Sequence, residues 1–136
     1  MARGLLFVYG SMKKDFRNHY RLHDSVYIGR ALTKNNYNIH PAKNFLFPYA
    51  VEYENRWQLE GELYKLTSAD IEKIDVIEGT PNYYYRKNID VIYDEKVYQA
   101  FIYFKSSSNE NCMNSQISLF NWSQKLEIMG IKNYKI

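Results

Sequence analysis

A chain of 136 residues with 18 basic and 15 acidic side chains, net charge +3, is long enough for one domain that buries roughly two-thirds of its unfolded surface. The single cysteine, Cys112, excludes an internal disulfide framework and fits a reducing compartment. Basic residues cluster only at Lys13-Lys14 and Arg17, which argues against a nucleic-acid face, and the apolar run at the N-terminus is too short for a secretion signal or a membrane span, so a cytoplasmic location is expected.

In chain order, residues 5–9 form a continuous apolar run ended by Gly10, the pattern of a strand buried on both faces. Residues 15–23, with Asp15 available as a cap, predict a helix or helical turn. Residues 25–33 read as a strand with a bend at Gly29, and 37–39 as its continuation before Pro41. Further strands are predicted over 49–53, 58–66, 83–93 and 97–104. In the last of these, Val97, Phe101 and Tyr103 fall on one face and Tyr98, Ala100, Ile102 and Phe104 on the other. Asp94-Glu95-Lys96 fits a hairpin turn between the last two strands.

Between Leu66 and Pro81 the spacing predicts a helix. Thr67 or Ser68 supplies the N-cap, Asp70 and Glu72 suit the first turn, Ile71, Ile74 and Ile77 form the buried stripe, and Gly79 and Pro81 stop it. Residues 106–115 are polar and read as a loop, and 116–129 as a second helix whose Leu119, Phe120 and Trp122 cap the body. The expected fold is α+β: a small mixed β-barrel of five to six strands with flanking helices, in a single domain over 1–136. Its motif-bearing core spans about 5–104, and a C-terminal helical extension covers about 107–136.

Two segments carry candidate chemistry. Tyr9-Gly10-Ser11-Met12 follows the buried strand, and successive N–H groups in such a turn can face one anion. Spacing alone favours an ordinary strand-ending turn, and Ser11 is followed by Met12 where a nucleophile elbow carries glycine on both sides of its serine. Glu78 closes the helix beside its apolar face. There the negative end of the dipole and partial burial among Ile77, Pro81 and Tyr84 would both raise its pKa toward the range of a general acid–base. The plainer alternative is a solvated glutamate at a helix end. His19, His23 and His40 with Cys112 make no metal set, and no metal is expected.

These segments resemble a known family. Tyr9-Gly10-Ser11-Met12 is similar to the Tyr-Gly-Ser/Thr-Leu motif of the gamma-glutamylcyclotransferase-like family, gamma-glutamylamine cyclotransferase type. Glu78-Gly79-Thr80-Pro81 with Tyr84 and Arg86 resembles that family's Glu-Gly-x-Pro-x-x-Tyr-x-Arg. Gly29, His40-Pro41-Ala42 and Gly61-Glu62-Leu63-Tyr64 fall between them in the family's order, and the match runs from about Leu5 to Phe104. Met12 replaces the usual leucine, and His40 stands where another aromatic is common.

The resemblance implies an enzyme that releases an amine from a gamma-glutamyl compound and closes the glutamyl part into 5-oxoproline, acting in the cytoplasm without a cofactor. Glu78 would be the catalytic acid–base. Tyr9, Gly10, Ser11 and Met12 would bind substrate through the loop, with Tyr84 beside Glu78. Arg86 would anchor the motif by a salt bridge, and Glu62 would be the reserve carboxylate. The pocket rim is expected over 35–47 and in the C-terminal segment. The expected partner is a small gamma-glutamyl substrate, with no nucleic acid or membrane, and the expected state a monomer or weak homodimer. Two other readings stand beside this one: a non-catalytic member of the fold that binds a small ligand or a protein, and an enzyme removing a gamma-glutamyl protecting group in a biosynthetic pathway.

Overall fold

A computed structural model describes residues 3–10, 12–14, 16, 18–22, 24–42, 47–106, 118–123 and 126. In chain order the elements are β1 (Arg3–Val8), a 3-10 turn (His19–Leu22), β2 (Val26–Thr33), β3 (Asn38–Pro41), β4 (Pro48–Val51), β5 (Glu60–Thr67), α1 (Ser68–Ile77), β6 (Tyr84–Tyr93) and β7 (Lys96–Lys105). Five of the strands close a barrel in the order β1-β5-β2-β6-β7, while β3 and β4 form a separate two-stranded sheet.

Strand direction alternates around the barrel, and with an odd number of strands one like-directed pair must remain. That pair is β1 and β7, which meet in parallel at Leu6 and Phe101. The mixed barrel inferred from the strand count is therefore the observed architecture.

Side-chain alternation explains why β1 reads as continuously apolar from Leu5 to Val8. Leu5 and Phe7 join Leu63, Ile89, Val91, Ala100, Ile102 and Phe104 in one core, whereas Leu6 and Val8 join Tyr64, Leu66, Ile71, Ile74, Tyr84 and Tyr103 in another. Because α1 contributes only to the second cluster, β1 lies between two apolar layers. The faces of β7 separate as its alternation predicts, with Ala100, Ile102 and Phe104 in the first core and Phe101 and Tyr103 in the second.

α1 begins where its sequence places it: Thr67 Oγ1 accepts the Asp70 N–H at 3.2 Å. It ends in a Schellman arrangement, with the Gly79 N–H donating to Val76 O at 3.1 Å and the Thr80 N–H to Asp75 O at 3.0 Å. Gly79 takes φ 67°, the left-handed conformation that this closure requires and that glycine adopts without a Cβ clash. Of the expected stripe, Ile71 and Ile74 are buried, but Ile77 is half-exposed. As the last helical residue it has left the second core and lines a cavity.

Other expectations are corrected. Residues 37–39 do not prolong β2: Tyr37 bridges to Trp57, and β3 pairs with β4. Of the helix or helical turn expected over 15–23, the structure forms the shorter alternative, a 3-10 turn at His19–Leu22, and Asp15, Arg17 and His23 lie outside the described residues. The C-terminal segment is not helical over residues 118–123, where Leu119 forms a β-bridge with Ile39. Leu119 packs on the first core and Trp122 is fully buried, so this stretch covers the barrel as extended chain. Most of the rest of 107–136, with Cys112, lies outside the described residues.

Candidate active site

The two motif segments meet at one cavity of about 260 Å³, lined by Val8, Tyr9, Gly10 and Met12 on one side of the sequence and by Ile77, Glu78, Tyr83, Tyr84 and Tyr103 on the other. Asn18 and Arg21 from the 3-10 region, with Phe47 and Pro48 at the start of β4, complete the lining. Its volume lies just under the roughly 300–1,000 Å³ of typical ligand pockets, which suits a compact guest.

Glu78 is the C-cap of α1, fixed by its own N–H donating to Ile74 O at 2.9 Å. The residue keeps some accessible surface, yet the protein atoms crowded about its carboxyl raise the pKa from 4.5 to about 7, against a smaller lowering influence from the Arg21 guanidinium. Burial, which the sequence suggests, is the leading cause. The neighbouring tyrosines do not compete for this role: burial pushes the hydroxyls of Tyr9, Tyr84 and Tyr103 well above their usual range, so they stay protonated.

The helix end that bears Glu78 is braced from beneath. Asp75 accepts from the Tyr103 hydroxyl at 2.7 Å and pairs with Arg86 Nε at 3.1 Å, tying the last turn of α1 to β7 and β6. Arg86 also lies over the Phe101 ring, 4.3 Å from its centroid. The anchoring salt bridge expected of Arg86 is thus present, and Asp75 is the partner that sequence reasoning did not name.

The loop after β1 is held at several points. Tyr9 sends its buried hydroxyl to Tyr103 O at 2.8 Å and accepts the Ala50 N–H at 3.1 Å, which leaves its backbone rather than its side chain for a ligand. A Cβ on Gly10 would meet Pro48 Cγ at 2.7 Å, so only glycine allows β4 to approach this closely. The His19 Nδ1–H donates to Met12 O at 2.9 Å. The Lys14 N–H donates to Glu62 Oε1 at 2.8 Å, and the Tyr64 hydroxyl meets the same oxygen at 2.8 Å. Ser11 lies outside the described residues.

Among the expected site residues, then, the structure brings Tyr9, Gly10, Met12, Glu78 and Tyr84 to one cavity. Tyr84 is buried, with its hydroxyl donating to Pro48 O at 3.3 Å. Glu62 is elsewhere: it pins the loop and faces a different cleft, with Arg30 and Trp122, so it is no reserve for Glu78. His40 does not line the cavity either, being buried with Nε2 2.6 Å from Glu54 Oε1. From the expected rim over 35–47, Phe47 lines it, whereas Asn35, Asn36 and Tyr37 border a separate polar cleft. Residues 43–46 lie outside the described residues. Among the described residues no three His, Cys, Asp or Glu side chains gather as metal ligands would, and no helix is long and apolar enough to cross a membrane.

The family model described as gamma-glutamyl cyclotransferase, AIG2-like matches residues 6–124. The chain belongs to this family. The gamma-glutamyl cyclotransferase match takes in both segments at the cavity. A relative from Methanocaldococcus jannaschii, named "Putative gamma-glutamylcyclotransferase MJ1514", is 38% identical over 105 residues, covering 76% of this chain and 85% of its own. A Vibrio cholerae relative with the same family name is 26% identical over 122 residues, covering 90% of this chain and 97% of its own. Among solved structures, the mouse AIG2-like protein superposes with a TM-score of 0.75 at 20% identity, covering 82% of this chain and 83% of its own, a likeness of fold.

Proposed function

We propose that this chain releases an amine from a gamma-glutamyl compound and forms 5-oxoproline, with Glu78 as the proton-transfer group. The observation that carries this reading is the placement of Glu78: a carboxyl with a pKa raised to about 7, lining the same small cavity as the Tyr9–Met12 loop. Such a group can both accept and return a proton near neutral pH.

In the proposed reaction the glutamyl group lies curled against the loop, and Glu78 as carboxylate takes a proton from its α-ammonium. The freed nitrogen attacks the γ-carbonyl carbon, closing a five-membered ring with a tetrahedral oxyanion, for which loop N–H groups are suitable donors. Collapse breaks the bond between the γ-carbon and the leaving nitrogen, which receives its proton from Glu78. Overall the ring nitrogen keeps one of the three ammonium protons, the released amine leaves as its ammonium with the other two, and Glu78 ends as it began. Holding the chain curled makes the attack intramolecular, an advantage of up to roughly 7–11 kcal/mol.

The test is 5-oxoproline release from a panel of gamma-glutamyl amines, dipeptides and glutathione, by wild type and Glu78→Gln. Release by wild type and silence from the variant is expected. Activity retained in the variant would remove Glu78 from its role, and silence from both folded proteins would favour a binding function. Since the base form must be present at the start, kcat/KM should rise with pH through about 7 and then level off.

A further inference from the structure

Tyr9, Tyr83, Tyr84, Tyr103 and Arg21 line the cavity with Glu78, yet among the described residues no side chain donates a hydrogen bond to its carboxyl. Each phenol is committed elsewhere. Tyr9 donates to Tyr103 O at 2.8 Å, Tyr84 to Pro48 O at 3.3 Å and Tyr103 to Asp75 Oδ1 at 2.7 Å, while the Tyr83 hydroxyl meets that of Tyr49 at 2.5 Å. Two of these acceptors are main-chain carbonyls and one is a neutral hydroxyl. Asp75 is the carboxylate among them.

Asp75 precedes Glu78 by three residues, so the two carboxyls are neighbours at the end of α1. Tyr103 lies close enough to Glu78 to feel its charge as well as that of Asp75. Another acceptor for its hydroxyl, Ile71 O, is at 3.5 Å, beyond the ordinary range of an O–H donor. Arg86, the second partner of Asp75, lies over Phe101 and does not line the cavity. Without Asp75, the carboxylate left for the Tyr103 hydroxyl is Glu78.

We infer that Asp75 is a positioning residue: by holding the Tyr103 hydroxyl it keeps that donor off Glu78 and leaves the Glu78 carboxyl open to the guest. A hydrogen bond donated to a carboxylate favours its ionised form, so a donor at Glu78 would make it a weaker base near neutral pH. The catalytic meaning of Asp75 rests on the cyclotransferase reading, whereas the state of the Glu78 carboxyl is measurable without substrate.

The Glu78 carboxyl carbon is titrated by NMR, its signal assigned by loss in Glu78→Gln. The proteins are wild type, Asp75→Ala, Asp75→Asn, Tyr103→Phe and the double variant Asp75→Ala/Tyr103→Phe. Wild type should titrate at about 7. Asp75→Ala should lower the midpoint by about one pH unit, and adding Tyr103→Phe should bring it back. Asp75→Asn, which keeps an acceptor oxygen, should move it less. Tyr103→Phe alone should leave it in place. A rise there would mean that the hydroxyl already serves Glu78, and overturns the assignment even if Asp75→Ala does not fold. No shift in Asp75→Ala overturns it too. So does a shift that persists in the double variant or is matched by Asp75→Asn, since lost charge would then be the cause. With a gamma-glutamyl conjugate that wild type turns over, the pH of half-maximal kcat/KM for 5-oxoproline release should follow the same order. A midpoint that moves without the pH profile following would take Asp75 out of the reaction. If folded wild type releases no 5-oxoproline, the cyclotransferase reading falls, and the titration still decides whether Asp75 keeps Tyr103 off Glu78.

Discussion

A carboxyl held near pKa 7 in the native state weighs on the fold at every pH above its ordinary value. In the unfolded chain Glu78 ionises around pH 4.5, and in the native state around 7. Below both values it is protonated in either state and makes no difference. As pH rises from 4.5 to 7 the unfolded chain gives up the proton that the native state keeps, so stability falls and then levels off. Two and a half units correspond to about 3 kcal/mol at most. Glu78→Gln should therefore unfold at higher urea than wild type at pH 8, with the gap closing by about pH 4; chemical denaturation at the two pH values checks this. At the same scale, Glu78 was legible as a candidate because a carboxylate at a glycine- and proline-stopped helix end is visible in sequence. Arg21 was not, because it reaches the cavity through a 3-10 turn and a barrel closure that no local spacing encodes.

Among the elements, α1 shows how a motif can be read as mechanics. Glu78-Gly79-Thr80-Pro81 places the carboxylate at the C-cap, a left-handed residue next and a chain stop after it. Gly79→Ala would put a Cβ at φ 67° and 3.2 Å from Tyr83 Cβ, costing roughly 1 kcal/mol or more and loosening the turn that aims Glu78. The expected outcome is a lower kcat with a modestly lower melting temperature, measured by steady-state kinetics and thermal unfolding. The strands and this helix were readable because their apolar periods and caps act locally. The C-terminal segment misled for the converse reason: Leu119, Phe120 and Trp122 sit at spacings a helix would accept, but the pairing of Leu119 with Ile39 and the burial of Trp122 are tertiary facts. β3 failed similarly, since a partner in β4 rather than continuity with β2 decides its place.

On the scale of the whole molecule, the C-terminal stretch is part of the barrel's cover. Trp122 is fully buried, the Lys13 ammonium donates to its carbonyl at 2.5 Å, and Glu60 N–H donates to Phe120 O at 2.9 Å. Trp122→Ala should cost about 3–5 kcal/mol, as large core truncations do. Denaturant unfolding measures this directly, and a loss below 1 kcal/mol would show that the indole site is not a packed one.

The parallel contact of β1 with β7 has a consequence in time. Leu6 and Phe101 come from opposite ends of the barrel's sequence, so their pairing waits until nearly all of that sequence exists, and contacts of such separation form slowly. β1 is also the strand that leads into the Tyr9–Met12 loop, and β7 carries the tyrosine that receives Tyr9 and braces the turn bearing Glu78. An emerging chain therefore already holds both motifs before it holds the strand that sets their spacing. The cavity, with Tyr103 in its wall, is therefore complete only once β7 has been made.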